Sequence, residues 1–250
     1  MDNALAVIIM AAGKGTRMNN PSLAKVMYMI DEKPMIEYVV DLSLQLQASR
    51  IVVVVGWQKD SVIQHLARTK KPVVCIEQNP QLGTAHAVMQ AESALSGFEG
   101  DVLVLSGDVP LLSFATTHAL IDFHRAHRAA ATVLTVDLED PSGYGRIIRH
   151  SDGSVQQIVE QKDATEEQRG IREINSGIYV FEKMKLFQAL KHVTPSNKQK
   201  EYYLTDVFSY FRKLKLPVSA MVANDPHEVM GINTTQQLEE ARAIMSRRGS

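Results

Sequence analysis

Over the first 137 positions the apolar residues gather in short, unbroken runs and do not alternate with polar ones. "LAVIIM" (Leu5–Met10), "RIVVVVG" (Arg50–Gly56), "PVVCIE" (Pro72–Glu77) and "DVLVLSGD" (Asp101–Asp108) are rich in β-branched residues and end in turn formers. Runs of this kind suit parallel strands buried on both faces. Between them the apolar period becomes helical. "PMIEYVVDLSLQLQ" opens on Pro34, predicted as a first helical residue, and "TAHAVMQAESAL" on Thr84, predicted as an N-cap. Strand and helix alternate over residues 4–137, which predicts a doubly wound α/β unit.

The pattern then changes. "AATVLTVDL", "GYGRIIR", "SVQQIVE" and "EINSGIYVF" predict several strands with few helices among them, an added mixed sheet or lobe. "KMKLFQALKHV", "YLTDVFSYFRKL" and "TTQQLEEARAIM" predict helices around a strand in "PVSAMVA". No Gly/Ser/Pro-rich linker and no internal repeat divides the chain. A single domain over residues 1–250 is expected, with a cleft beyond the carboxyl ends of its strands.

Composition narrows the function classes. Hydrophobic residues make up 45% and charged residues 22% of the 250, an ordinary globular balance. The net charge of −1 gives no basic footprint for nucleic acid or an anionic membrane, and neither partner is expected. The single Cys75 cannot form an internal disulfide and is expected to be a small buried hydrophobe. No apolar run reaches the ~18 residues of a membrane span, and "ALAVIIMAAG" has no basic leader and follows Asp2. A cytoplasmic enzyme or binding protein is the expectation.

The candidate chemistry begins where the first run stops, at "VIIMAAGKGTRM". Gly13 and Gly15 would let backbone N–H groups turn toward an anion. The spacing excludes a P-loop, whose lysine follows its last glycine, since Lys14 lies between glycines two apart. It also excludes the dinucleotide fingerprint, because Met18 stands at the third glycine position. Arg17 and Lys25 put two cations near the loop, where triphosphate charge needs neutralising. Asp108 ends an apolar strand, where a site at the top of a sheet would hold Mg²⁺. His124 and His127, beside Asp122, lack a third ligand at metal spacing, so a solvated helix face is expected there.

Together the motifs form a recognisable series. "AAGKGTRM", Lys25, "EQNPQLGTAHAV", "SGDVPLL", "DPSGYGRIIR", "IVEQKDA", "EINSGIYVF", "EYYLTDV" and "GINT" follow one another through nearly the whole chain. They closely resemble the uridylyltransferase domain of bacterial N-acetylglucosamine-1-phosphate uridylyltransferases. The resemblance implies a nucleotidyltransferase fold: a Rossmann-like, mixed and mostly parallel sheet with a sugar-binding lobe. Residues up to about 137 would bind nucleotide, residues from about 138 to 233 the sugar, and a C-terminal helix would run to 250. The implied reaction takes UTP and a sugar 1-phosphate to UDP-sugar and pyrophosphate. The acceptor would be N-acetylglucosamine 1-phosphate.

Carried over by position, the resemblance assigns the nucleotide cradle to Met10, Ala11, Ala12 and Gly13, with Ser106 and Asp108 in its wall. Gln78, Gly83 and Thr84 would hold the uracil. Asp108 and Asn233 would ligate Mg²⁺, and Gly145, Glu160 and Asn175 would bind the sugar. Lys25 would stabilise charge around the α-phosphate, Arg17 would hold the departing pyrophosphate, and Lys162 would steer the sugar phosphate. Tyr202, Tyr203 and Thr205 would shape the cleft.

Several positions depart from the family pattern. Met10 replaces a common leucine, Ala24 a frequent proline, Ser106 a tyrosine of some members and Ala85 a frequent glycine. "NNPSLAK" is one residue longer than usual. The bifunctional members continue into a left-handed β-helix that carries acetyltransferase activity and drives trimerisation, whereas no hexapeptide repeat follows "TTQQLEEARAIMSRR". A free-standing enzyme or a fragment is therefore expected, monomeric or a small homo-oligomer and without acetyl transfer. The alternatives left open are another sugar 1-phosphate, a thymidylyl donor, or a regulator that binds nucleotide sugar without turnover.

Overall fold

The computed structural model describes residues 4–18 and 20–248; Asp2, Asn19 of the longer loop and the last two residues of the expected final helix lie outside the described residues. The first half runs β1 (Leu5–Ala11), the short hairpin β2 (Met29–Ile30) and β3 (Lys33–Pro34), α1 (Met35–Gln45), β4 (Arg50–Val55), α2 (Lys59–Thr69), β5 (Val74–Glu77), α3 (Thr84–Gln90), β6 (Asp101–Ser106) and α4 (Phe114–Ala126). The second runs β7 (Ala131–Asp137), β8 (Gly145–Arg149), β9 (Val155–Val159), α5 (Glu166–Arg169), β10 (Glu173–Glu182), α6 (Lys183–Leu190), α7 (Asp206–Lys213), β11 (Val218–Val222) and α8 (Thr235–Arg248).

All the strands except the β2–β3 hairpin join one mixed sheet. Its main order is β11-β7-β10-β6-β1-β4-β5, and β8 pairs with β10 and carries β9. β1 lies parallel between β4 and β6, while β10 runs antiparallel to both β6 and β7. The later strands thus extend the first sheet and do not build one of their own.

The unbroken apolar runs are explained by burial on both faces. Ala6 and Ile8 of β1 point into a layer with Val88 of α3, Phe187 of α6 and Phe211 of α7. Val7 and Ile9 point the other way, toward Ile36 of α1, Val62 of α2 and Leu120 of α4. Each such valine, leucine, isoleucine or phenylalanine contributes about 1.5–3 kcal/mol on burial. α8 packs Leu238, Ala241 and Ile244 against Met18, Ile30 and Met35, which ties the chain's end to the segment after β1.

Four local expectations are corrected. β5 is an edge strand, so Val74 is 51% exposed and Cys75 only half-buried. Pro34 occupies the N-cap of α1, one position before its first turn. Thr84 is the first residue of α3, and its Oγ1 accepts from Leu204 N at 2.9 Å, leaving Gly83 at the cap. His124 is buried, its Nδ1 2.9 Å from Thr132 Oγ1, whereas His127 is exposed and stacks on Phe123. Among the described residues no helix is long and apolar enough to cross a membrane.

Candidate functional site

The site forms at the carboxyl ends of β1 and β6. Gly107 N donates to Met10 O at 2.9 Å, so the two strand exits leave the sheet side by side. Asp108 follows at once, and its carbonyl accepts from Ile232 N at 2.9 Å, which draws the segment before α8 to the carboxyl end of β6. Asn233 is thereby brought beside Asp108 despite a separation of more than a hundred residues. Its Nδ2 donates to Gly231 O at 3.0 Å, which turns its Oδ1 toward the cleft. Thr234 takes the capping bond at the start of α8, accepting from Gln237 N at 3.2 Å.

Both predicted cations meet this pair. Lys25 Nζ donates to Asp108 Oδ2 and to Asn233 Oδ1, the latter at 2.9 Å. Arg17 Nη2 reaches the same Asn233 oxygen at 2.9 Å. Two oxygens, one anionic and one neutral, therefore converge on a single cationic atom. That donor set suits a hard divalent ion with open positions for phosphate oxygens and water. Among the described residues no group of three His, Cys, Asp or Glu side chains offers an alternative metal cage.

Beside the cluster lies a cavity of about 620 Å³. Met10, Ala11, Ala12 and Gly13 line one side, Gln78, Gly83 and Thr84 another, and Lys25, Ser106 and Asp108 complete the wall. Gln78 is 3% exposed, and its amide is oriented from within: Nε2 donates to Gly83 O at 2.9 Å and lies 3.1 Å from His86 Nδ1. Burial lowers the His86 pKa, which favours the neutral ring that can accept there. One amide hydrogen is thus engaged by Gly83 O, while the other faces the His86 ring, which Gln90 Nε2 also approaches at 3.2 Å. Gly83 sits at φ +113°, and a Cβ there would come 2.6 Å from Tyr202 O. Only glycine allows that approach. The tyrosine's backbone clasps the loop on both sides, through Tyr202 N to Leu82 O and Ala85 N to Tyr202 O, each 2.8 Å.

A second cavity of about 200 Å³ abuts the first and shares its wall of Met10, Thr84 and Ser106. Register explains its far side. Asn175 of β10 stands opposite Gly145 of β8, and Arg146 opposite Val159, which sets Glu160 next to Gly145. The pairing of β10 with β7 shifts register between Asn175 and Tyr179. Across this irregularity Asn175 Nδ2 donates to Tyr179 Oη at 2.7 Å, while Asn175 Oδ1 accepts from Gly177 N at 3.1 Å. The Glu160 carboxyl accepts from Thr205 Oγ1 at 3.3 Å. Burial raises its pKa, and negative charge on Asp163, Asp206 and Glu201 pushes the same way.

The predicted residues thus fall into three adjoining groups: cations with oxygens, the wall expected to meet the base (the base wall) and the wall expected to meet the sugar (the sugar wall). Thr205 meets the sugar wall and Tyr202 the base loop, while Tyr203 is buried and receives Gln199 Nε2 on its hydroxyl at 2.6 Å. Lys162 is not brought to them. It is exposed, donates to Gln199, and lines neither cavity.

Comparison with known proteins gives this arrangement a family. The family described as "Nucleotidyl transferase" matches residues 6–243. The chain belongs to it. Among similar nucleotidyl transferase relatives, the bifunctional protein GlmU of Geobacter metallireducens is 49% identical over 237 residues, 95% of this chain and 49% of its own. GlmU of Brevibacillus brevis is 47% identical over 241 residues, 96% of this chain and 51% of its own. The chain spans about half the length of the curated relatives it matches. A solved UDP-glucose pyrophosphorylase, complexed with UDP-glucose, superposes with a TM-score of 0.74 at 20% identity, covering 98% of this chain and 99% of that one. This likeness extends the shared fold to distant nucleotidyl transferases.

Two nucleotidyl transferase residues at the sugar wall escape motif reading. Tyr179 sits within an apolar strand, and nothing in the letters marks its hydroxyl as the acceptor that orients Asn175. Arg146 is 1% exposed and donates to the carbonyls of Tyr144 and Arg169, the latter at 3.2 Å. It fastens the turn before β8 to the end of α5, and so fixes Gly145. The charge of an arginine predicts solvent exposure. Only its place between glycine and an apolar pair hinted otherwise.

Proposed function

We propose that the chain transfers a uridylyl group from UTP to N-acetylglucosamine 1-phosphate, forming UDP-N-acetylglucosamine and pyrophosphate. The observation that carries this reading is the pair of abutting cavities with a common wall, the larger bordered by the Lys25–Asp108–Asn233 cluster. One pocket with a phosphate end would serve a binder or a hydrolase; a joined second pocket suits an acceptor held against the first ligand.

The whole chain acts as one domain, with a nucleotide half to about 137 and a sugar half from about 138 to 233. Gln78 Oε1 accepts from the uracil N3–H, a hydrogen that cytosine lacks. Gly145, Glu160 and Asn175 hold the sugar. An oxygen of the sugar phosphate attacks the α-phosphorus in line; a new P–O bond forms as the bond to the bridging oxygen breaks, and pyrophosphate leaves with the electron pair. The acceptor phosphate is already ionised, so the protein needs no nucleophile or general base of its own. Lys25 neutralises charge that develops around the α-phosphorus, and Arg17 receives the departing oxygens. Asp108 and Asn233 would hold Mg²⁺, whose charge offsets the repulsion between the two phosphates.

The test is pyrophosphate release measured over a grid of nucleoside triphosphates and sugar 1-phosphates. UTP with N-acetylglucosamine 1-phosphate is expected to give the highest kcat/KM. A peak at glucose 1-phosphate or with a thymidine donor would move the reaction to another sugar or base. Tight UTP binding with no release for any pair would mean a regulator.

A further inference from the structure

The corner after β4 supports the glycine loop in a way that neither the reaction scheme nor the motif series uses. Gly56 presses directly on that loop: a Cβ there would meet Ala12 Cβ and Ala12 O at 2.8 Å and Gln81 Nε2 at 2.7 Å. The next residue, Trp57, is the chain's single tryptophan. Its backbone N donates to Ala12 O at 3.1 Å, at the start of the loop. Its indole Nε1 donates to Pro21 O at 3.1 Å, four residues before Lys25. Gln58, held in the left-handed region at φ 53°, donates Nε2 to the same carbonyl at 3.1 Å. Between these two ties Lys14 lays its ammonium over the indole, 5.3 Å from the ring centroid. That distance is within cation–π range.

One residue therefore touches the start of the segment that carries Lys14, Arg17 and Lys25 through its backbone, and Lys14 and Pro21 further along through its side chain. We propose that Trp57 is a positioning residue for the phosphate loop: a fixed post that holds the spacing of the loop and keeps Lys14 beside the cavity it lines. The physical case is one of preorganisation. A loop with glycines at 13 and 15 loses much conformational freedom when it closes on an anion. A post that removes that freedom beforehand lowers the cost at binding. An indole serves better than a purely apolar side chain because it offers an N–H at its edge and a π face at once. The identity of the loop's ligand as a triphosphate rests on the uridylyl-transfer reading, whereas the post itself does not.

The test combines hydrogen–deuterium exchange of the ligand-free full chain with calorimetric titration by UTP and by UMP, on wild type, W57A and W57F. W57A is expected to speed exchange at least tenfold across residues 13–24 while leaving β10 and α8 unchanged. It should also weaken UTP about tenfold and UMP less than threefold. W57F keeps a ring under Lys14 without the indole N–H and should fall between. Unchanged loop exchange in W57A, or equal weakening of UTP and UMP, would overturn the proposal. Wild type that binds neither nucleotide, with loop exchange still dependent on Trp57, would overturn the uridylyl-transfer reading and leave the post standing.

Discussion

Gln78 shows how much a single side chain's internal bonds decide about its ligand. Because Gly83 O takes one of its amide hydrogens, the base contact proposed for it falls to Oε1 as an acceptor. Efficiency with UTP should exceed that with CTP by roughly a hundredfold, since cytosine would set a lone pair against Oε1. Equal kcat/KM values for the two would sink this account of the base wall. Asp108 pairs with Lys25 in the wall of the larger cavity, where the proposed reaction would bring nucleotide and acceptor together. Asp108→Ala should lower kcat by about two decades or more, some 3 kcal/mol in barrier, with circular dichroism unchanged. A variant with wild-type turnover would place the phosphate chemistry elsewhere. At this scale the sequence was legible where residues sit in contiguous motifs, as at residues 10–13, 83–84 and 106–108. Lys162 and Lys25 are the same letter, yet the fold brings only Lys25 to Asp108 and Asn233, while Lys162 meets Gln199. Trp57 and Arg146 act through backbone carbonyls, and a motif cannot show where carbonyls will point.

Elements were readable in proportion to their burial. β1, β4 and β6 are buried on both faces and stand out as runs, while β5 at the sheet edge reads the same although none of its four residues is fully buried. α2 buries only Val62 and Leu66, too thin a stripe to announce a helix by period. α4 held the largest surprise, since its His124 serves packing where a solvated face was expected. Burial drives its pKa down from 6.5 to about 4 despite the nearby Asp101, so the ring is neutral at the α4–β7 contact. Between those two values the unfolded chain takes up a proton that the folded chain refuses, so this histidine's contribution is lost as pH falls from 6.5 toward 4. Urea midpoints of wild type and His124→Asn, compared at pH 7.5 and 4.5, should therefore shift in the variant's favour on acidification. A constant difference between the two would mean that the histidine titrates alike in the folded and unfolded chain.

Across the whole molecule, the sugar wall carries a buried carboxylate that costs stability. Glu160 titrates above its ordinary 4.5 because it is buried among other acids, so its ionised form opposes folding at neutral pH. Glu160→Gln should raise the melting temperature at pH 7, and the gain should shrink as pH falls through the raised value and vanish below about 4.5. The same change should weaken sugar-phosphate binding, because one of two acceptor oxygens becomes a donor. A variant that melts lower at pH 7 would show that the carboxylate is held by more than the Thr205 hydroxyl. The sheet itself has a consequence for motion. β10 carries Asn175 and Tyr179 into the sugar cavity, and it hydrogen-bonds to β6, which delivers Ser106 to both cavities and leads into Asp108. That ladder, from Tyr179 opposite Val104 to Glu182 opposite Asp101, joins the two halves beneath the cavities and resists a hinge between them. Capture must then be the work of segments at the strand ends, and the scattering radius of the enzyme should stay constant when both substrates fill it, as in a vice whose jaws are forged in one piece and whose only moving parts are the pads.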